Sequence, residues 1–179
     1  MSLLPILLYP NPILKTACEP VEKVTKEIVK LLEDMAETMY AAPGVGLAAP
    51  QVGITKRVIV ADVSWREEGG PGGSNPGGAS PRKLYQLVNP KIVRREGKIE
   101  WEEGCLSIPG FVQIMERSQK VAVEALDKKG NRMTIEAQDL LAVCLQHEID
   151  HIDGKLIIDK ASRLKRNLYL EKLKKGERL

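Results

Sequence analysis

Histidine occurs twice in the 179 residues, cysteine three times and phenylalanine once, and these scarcities narrow the possible functions. An odd, sparse set of cysteines (Cys18, Cys105, Cys144) builds no disulfide framework and points to a reducing compartment, so a cytoplasmic protein is expected. Aromatics make up 4% of the chain, a poor supply for the stacking platforms that bind single-stranded nucleic acid. Long apolar runs are also missing. The start, SLLPILLYP, is broken by Pro5, lacks a basic leader and falls short of the ~20 apolar residues of a membrane span, so it reads neither as a span nor as a signal peptide.

What remains is a globular balance, 43% hydrophobic and 28% charged, over a length that suits a single domain spanning residues 1–179. The net charge of +3 is unevenly spread. The last twenty residues hold eight Lys or Arg and two Glu, which leaves −3 on the first 159. A basic C-terminal helix over residues 162–179 is therefore expected, either as a solvated face or as a contact for an acidic partner. Leu164 and Leu168 would give it one docking stripe.

Between a YPNP turn and Pro43, residues 25–41 space Ile28, Leu31, Leu32, Met35 and Met39 three or four apart, the pattern of an amphipathic helix with Thr25 as N-cap. A glycine-rich loop, residues 44–53, leads into a β-branched run at 58–63 that reads as a buried strand. Residues 69–78 hold six of fifteen glycines and two prolines, and read as a flexible surface insertion. Strand-like segments follow at 84–88 and 91–94. A hairpin then alternates Val121, Val123 and Ala125, turns at KKGN and closes over residues 133–137. A second helix is expected over 138–152, stopped by Gly154. Strands lie between helices without a strand-helix repeat, so the class is α+β, with antiparallel or mixed sheets around the second helix.

That second helix carries both histidines of the chain, in HEIDH at residues 147–151. An i, i+4 pair is offset by about 40° around the axis and about 6 Å along it, so His147 and His151 can reach one ion. Glu148 points about 100° away, where it can take a proton from a water held by the ion and return it to a leaving group. The plainer alternative is a solvated helix with incidental histidines. A catalytic metal of this type needs a third protein ligand. Cys144 lies about 10 Å along the helix from His151, out of reach, and is assigned to core packing. Cys18 is read as structural or incidental. Cys105, in EEGCLSIPG behind a glycine that permits close backbone approach, is the leading candidate. An apolar slot beside the site is expected from Val143 and Leu140, one and two turns before His147, with Val45, Gly46 and Leu106. Plain core packing is the alternative for Leu140 and Val143.

Three segments, GVGLAAPQ at 44–51, EGCLS at 103–107 and HEIDH at 147–151, stand in the order and approximate spacing of peptide deformylase, which the chain resembles from the YPNP turn to the final helix. The resemblance implies that Cys105, His147 and His151 bind the metal and that Glu148 is the general acid and base. It also implies that the Gln51 amide and the Leu106 backbone N–H stabilise the oxyanion. The implied ion is Fe²⁺, with Zn²⁺, Ni²⁺ or Co²⁺ able to substitute. The implied substrate is the N-terminal formyl-methionine of new polypeptides, released as formate. The basic tail would then contact ribosomal RNA.

Two rival readings compete. An HExxH zinc metallopeptidase would normally find its third ligand in a downstream His or Glu, and no histidine follows His151. A nucleic-acid-binding module with structural zinc would need four protein ligands.

Overall fold

The structure, a computed structural model, describes residues 2–64 and 82–175. The insertion expected at residues 69–78 lies outside the described residues, as do the last four positions of the basic segment. Among the described residues the helices are α1 (Lys26–Ala41), α2 (Asp139–Ile152) and α3 (Arg163–Lys175). The strands are β1 (Gly46–Ala48), β2 (Val58–Ala61), β3 (Tyr85–Glu96), β4 (Ile99–Cys105), β5 (Ile108–Arg117), β6 (Lys120–Leu126) and β7 (Arg132–Gln138).

A five-stranded sheet runs β1-β2-β3-β6-β7 and a separate two-stranded sheet pairs β4 with β5. Every one of these strand pairs is antiparallel, which settles the antiparallel-or-mixed alternative in favour of antiparallel. The class is α+β as expected.

The VIVA run of β2 is apolar throughout because both of its faces are covered. Val58 and Val60 pack with Leu32, Met35 and Met39 of α1. Their neighbours Ile59 and Ala61 face the opposite way, into a cluster with Leu145, Ile149 and Ile152 of α2. Each fully buried Leu, Ile or Met contributes on the order of 1.5–3 kcal/mol of transfer free energy, so the sheet is clamped from two sides by aliphatic packing. Thr25 stands at the N-cap position of α1 without a side-chain cap bond. Gly154 ends α2 at φ +73°, and a Cβ there would lie 2.6 Å from the Lys15 carbonyl oxygen, so glycine is required twice over.

Three local expectations are corrected. Segments 84–88 and 91–94 belong to one strand, β3, whose ladder shifts register between Val88 and Lys91, where Asn89 takes φ +53° ahead of Pro90. The β4–β5 hairpin was not expected as strands. Its acidic first strand leaves Glu100, Glu102 and Gly104 exposed, and Leu106 and Ser107 make the turn in place of a glycine-asparagine signal. On α3, Leu164 and Leu168 are 70% and 51% exposed, and the docking residue is Tyr169. Its ring packs edge-on against Phe111 at 5.3 Å and its hydroxyl donates to the Pro109 carbonyl (3.0 Å), with Leu173 one turn on joining the same cluster. An aromatic buries more area than a leucine and brings a polar handle, so it decides which face turns inward.

Candidate metal centre and active site

Helix α2 crosses beneath β1 and β2 and brings His147 and His151 to one side of the sheet edge. Cys105 arrives from the end of β4, where the ladder with β5 breaks register between Gly104 and Cys105. The Sγ of Cys105 lies 3.3 Å from Nε2 of His151, and the two Nε2 atoms lie 3.1 Å apart. One ligand atom from each of the three residues falls within 4.8 Å of the others, the spacing of a shared cation, and among the described residues this is the one such group. Burial alone would lower the His147 pKa, but the Cys105 and Glu103 hydrogen bonds outweigh it and hold the ring well above the usual histidine range. Burial, with charged His147 beside it, pushes His151 well below. A donor set of two imidazole nitrogens and one cysteine sulfur suits a borderline divalent transition metal.

The remaining expected residues surround a cavity of about 280 Å³ beside these donors, close to the low end of small-molecule sites at roughly 300 Å³. Leu140 and Val143 line it from α2, Val45 and Gly46 from β1 and the loop before it, and Leu106 from the turn after Cys105. Cys105 and His147 face the cavity, whereas His151 is buried behind them. Gly46 has a steric reason to be glycine: a Cβ would stand 2.3 Å from Glu148 Oε1 and 2.9 Å from Cys144 Sγ. Glu148 is 4% exposed, and its Oε2 has no hydrogen-bond partner. Burial raises its carboxyl to about 7, the range in which a group both accepts and returns protons at neutral pH.

Gln51 sits on a short 3₁₀ turn, Ala49–Val52, and is 2% exposed. Its Oε1 accepts from the Ala48 N–H (2.8 Å), which turns Nε2 toward Ser107 Oγ (3.1 Å) and Cys105 Sγ (3.6 Å). An amide donor is therefore aimed at the donor cluster with its orientation fixed. Cys144 is buried as expected, and its thiol donates to the Val45 carbonyl (3.4 Å), so it also lines the cavity. Cys18 is buried away from the site in the cluster beneath α2.

The sequence reading missed a buried ionic chain behind His147. Glu103 Oε2 lies 2.8 Å from His147 Nδ1, and Arg117 grips Glu103 with two bonds of 2.7 and 2.9 Å while reaching Asp150 at 2.5 Å. Burial would raise the Glu103 carboxyl, but Arg117 and His147 outweigh it and hold it below the usual glutamate range. Glu103 lies within EGCLS, a signal that could have been used. Arg117 closes a strand of alternating exposure and carries no local signal of its own.

A helix presenting two histidines and a glutamate to a cysteine, beside a cavity of about 280 Å³, defines the class of metal-capable hydrolytic sites. The family model for polypeptide deformylase matches residues 3–167. The peptide deformylase of Thermodesulfovibrio yellowstonii is 47% identical over 97% of this chain and 98% of its own, and that of Hydrogenovibrio crunogenus 45% over 98% and 95%. A crystal structure of peptide deformylase from Ehrlichia chaffeensis in complex with actinonin superposes with a TM-score of 0.86 at 44% identity, covering all of both chains. The chain belongs to the polypeptide deformylase family. The family removes the formyl group from new polypeptides and is metal-dependent, so the metallopeptidase and zinc-module readings are not favoured.

Proposed function

We propose that Cys105, His147 and His151 hold the catalytic cation of a deformylase acting on N-terminal formyl-methionine, and that Glu148 is its general acid and base. The observation that carries this reading is the buried, unpartnered Oε2 of Glu148 beside a Cys/His/His donor set and a cavity of about 280 Å³. When bound, a divalent ion supplies Lewis acidity, acidifying water and polarising the formyl carbonyl. Fe²⁺ is the ion proposed, with Zn²⁺, Ni²⁺ or Co²⁺ as substitutes, since a mixed thiolate and imidazole set accepts each.

The methionine side chain lies in the slot of Val45, Gly46, Leu106, Leu140 and Val143, which sets the formyl carbon against Glu148. Glu148 takes a proton from the attacking water and gives it to the departing amine as the carbon–nitrogen bond breaks, releasing formate. Gln51 Nε2 and the Leu106 N–H donate to the oxygen that becomes negative. Residues 1–179 act as one deformylase domain in the cytoplasm, and no described helix is long and apolar enough to cross a membrane. The basic outer face of α3 contacts ribosomal RNA, bringing the enzyme to its substrate.

The test is formate release from formyl-methionyl peptides together with metal analysis of anaerobically purified protein. Glu148→Ala is expected to keep a full complement of metal and lose turnover. Wild-type formate release, or a folded variant that has lost its metal, refutes the assignment.

A further inference from the structure

Residues 43–46 form one wall of the cavity, which Leu140 and Val143 of α2 also line. This wall is a short connector between the end of α1 and β1, anchored to the helix at one end and to the sheet at the other, with the Cys144 thiol of α2 as a further hold on the Val45 carbonyl (3.4 Å). On the helix side, the Gly44 N–H donates to the Met39 carbonyl (2.9 Å). On the sheet side, the Asp62 N–H donates to the Val45 carbonyl (2.9 Å), and Gly46 pairs with Ala61 across β1 and β2.

The two anchors are themselves joined. Tyr40, in the last turn of α1, donates its hydroxyl to Asp62 Oδ2 at 2.5 Å, and Asp62 is fully buried. The other carboxylate oxygen accepts from the Ser64 N–H (3.0 Å) and hydroxyl (2.6 Å). Burial and the adjoining carboxylate push the Tyr40 phenol up, so it stays protonated and remains the donor. The Arg82 guanidinium stacks over the Tyr40 ring at 4.3 Å and holds the ring from outside. None of these groups reaches the donor cluster, so their effect on the reaction must pass through the wall.

We propose that the Tyr40–Asp62 hydrogen bond fixes the width of the slot that receives the substrate's first side chain, making Tyr40 a positioning residue for specificity. The inference rests on the deformylase reading above. A bond between a neutral donor and a buried carboxylate is among the stronger kinds, and its loss frees one anchor of the wall relative to the other. A slot free to widen discriminates less well between a long apolar side chain and a short one, while Glu148 and the metal ligands keep their places.

The experiment compares formyl-methionyl and formyl-alanyl peptides on the wild type, Tyr40→Phe and Ser64→Ala, each metal-loaded. Phenylalanine keeps the ring and its stacking and removes only the donor. Tyr40→Phe is expected to raise KM for the methionyl peptide about three- to tenfold, hold kcat within about twofold, and narrow the preference for methionine by a similar factor. Its metal content should match wild type. Ser64→Ala, which leaves the Tyr40 bond intact, should keep wild-type preference. An unchanged KM and preference in Tyr40→Phe overturns the proposal. So does loss of fold or metal in that variant, or an equal shift in Ser64→Ala. A wild-type chain that releases no formate from either peptide brings down the deformylase reading itself, an outcome the wild-type measurement alone reveals.

Discussion

Replacing Arg117 by methionine removes the cation from a chain in which Glu103 and Arg117 have side chains only 4% and 8% exposed. Methionine matches the stem of arginine in bulk, so the change is largely one of charge. Glu103 would be left buried with His147 as its one remaining partner. Removing one member of a buried ion pair costs about 3–5 kcal/mol, because the survivor cannot recover its hydration. The second arm, to Asp150, adds little, since that carboxylate is 30% exposed and already screened by water. At about 2–4 °C per kcal/mol for a chain of this size, the expected fall in Tm is about 6–20 °C. The site should register the loss too. Glu103 orients His147 through Nδ1, and loosening such an outer partner typically weakens metal binding about 10- to 100-fold. Urea unfolding gives the first quantity and competition with a chelator the second. Adding Glu103→Gln to Arg117→Met should recover a large part of the stability, because no buried charge is then left alone. The reasoning is refuted if Arg117→Met lies within about 1 kcal/mol of wild type, or if the double variant loses the sum of the single effects.

Cys105→Ser should shift the bound metal away from soft ions and cut activity sharply, read by metal analysis and formate release; unchanged metal content would place the third ligand elsewhere. Gly46→Ala should cost about 10² or more in kcat, because the added methyl displaces the Glu148 carboxylate along with the Cys144 thiol; near-normal turnover would show that Glu148 acts from another position. For ribosome contact, charge reversal at Lys172, Lys174 and Lys175 is the suitable perturbation, since these are exposed and removal of α3 would also take away Tyr169. The reversed protein should keep wild-type rates on short peptides and co-sediment less with ribosomes at low salt, and equal sedimentation would leave the basic face merely solvated.

The parts of the fold that were legible are those whose periodicity is set by burial on one face. The 3.6-residue spacing in α1 reports a buried helix face, and the alternation of Val121, Val123 and Ala125 with polar or small residues reports the core face of β6. The donor residues were legible because histidine is scarce and an i, i+4 pair needs nothing beyond a helix to bring it together. The β4–β5 hairpin was hidden because its first strand pairs in isolation and exposes acidic residues, so neither alternation nor a turn dipeptide marks it. Arg117 was invisible for another reason. Its partners lie 14 and 33 residues away, and a buried ion pair is specified by tertiary proximity rather than by any local pattern. The docking face of α3 misled because leucine spacing alone does not say which stripe turns inward; the single phenylalanine of the chain, Phe111, supplied the surface that selected Tyr169.

The seating of Tyr169 against Phe111 and the Pro109 carbonyl has a consequence in time. The hairpin that delivers Cys105 is backed by a residue of α3 that lies 60 positions beyond Pro109 in the chain. During synthesis, α1, the five-stranded sheet and α2 can all be outside the ribosome while the floor beneath the cysteine is still unmade. Full support of the donor cluster therefore has to wait until α3 has been made. A chain translated as far as α2 holds the Cys105, His147 and His151 donors but not yet the Tyr169 support behind the hairpin.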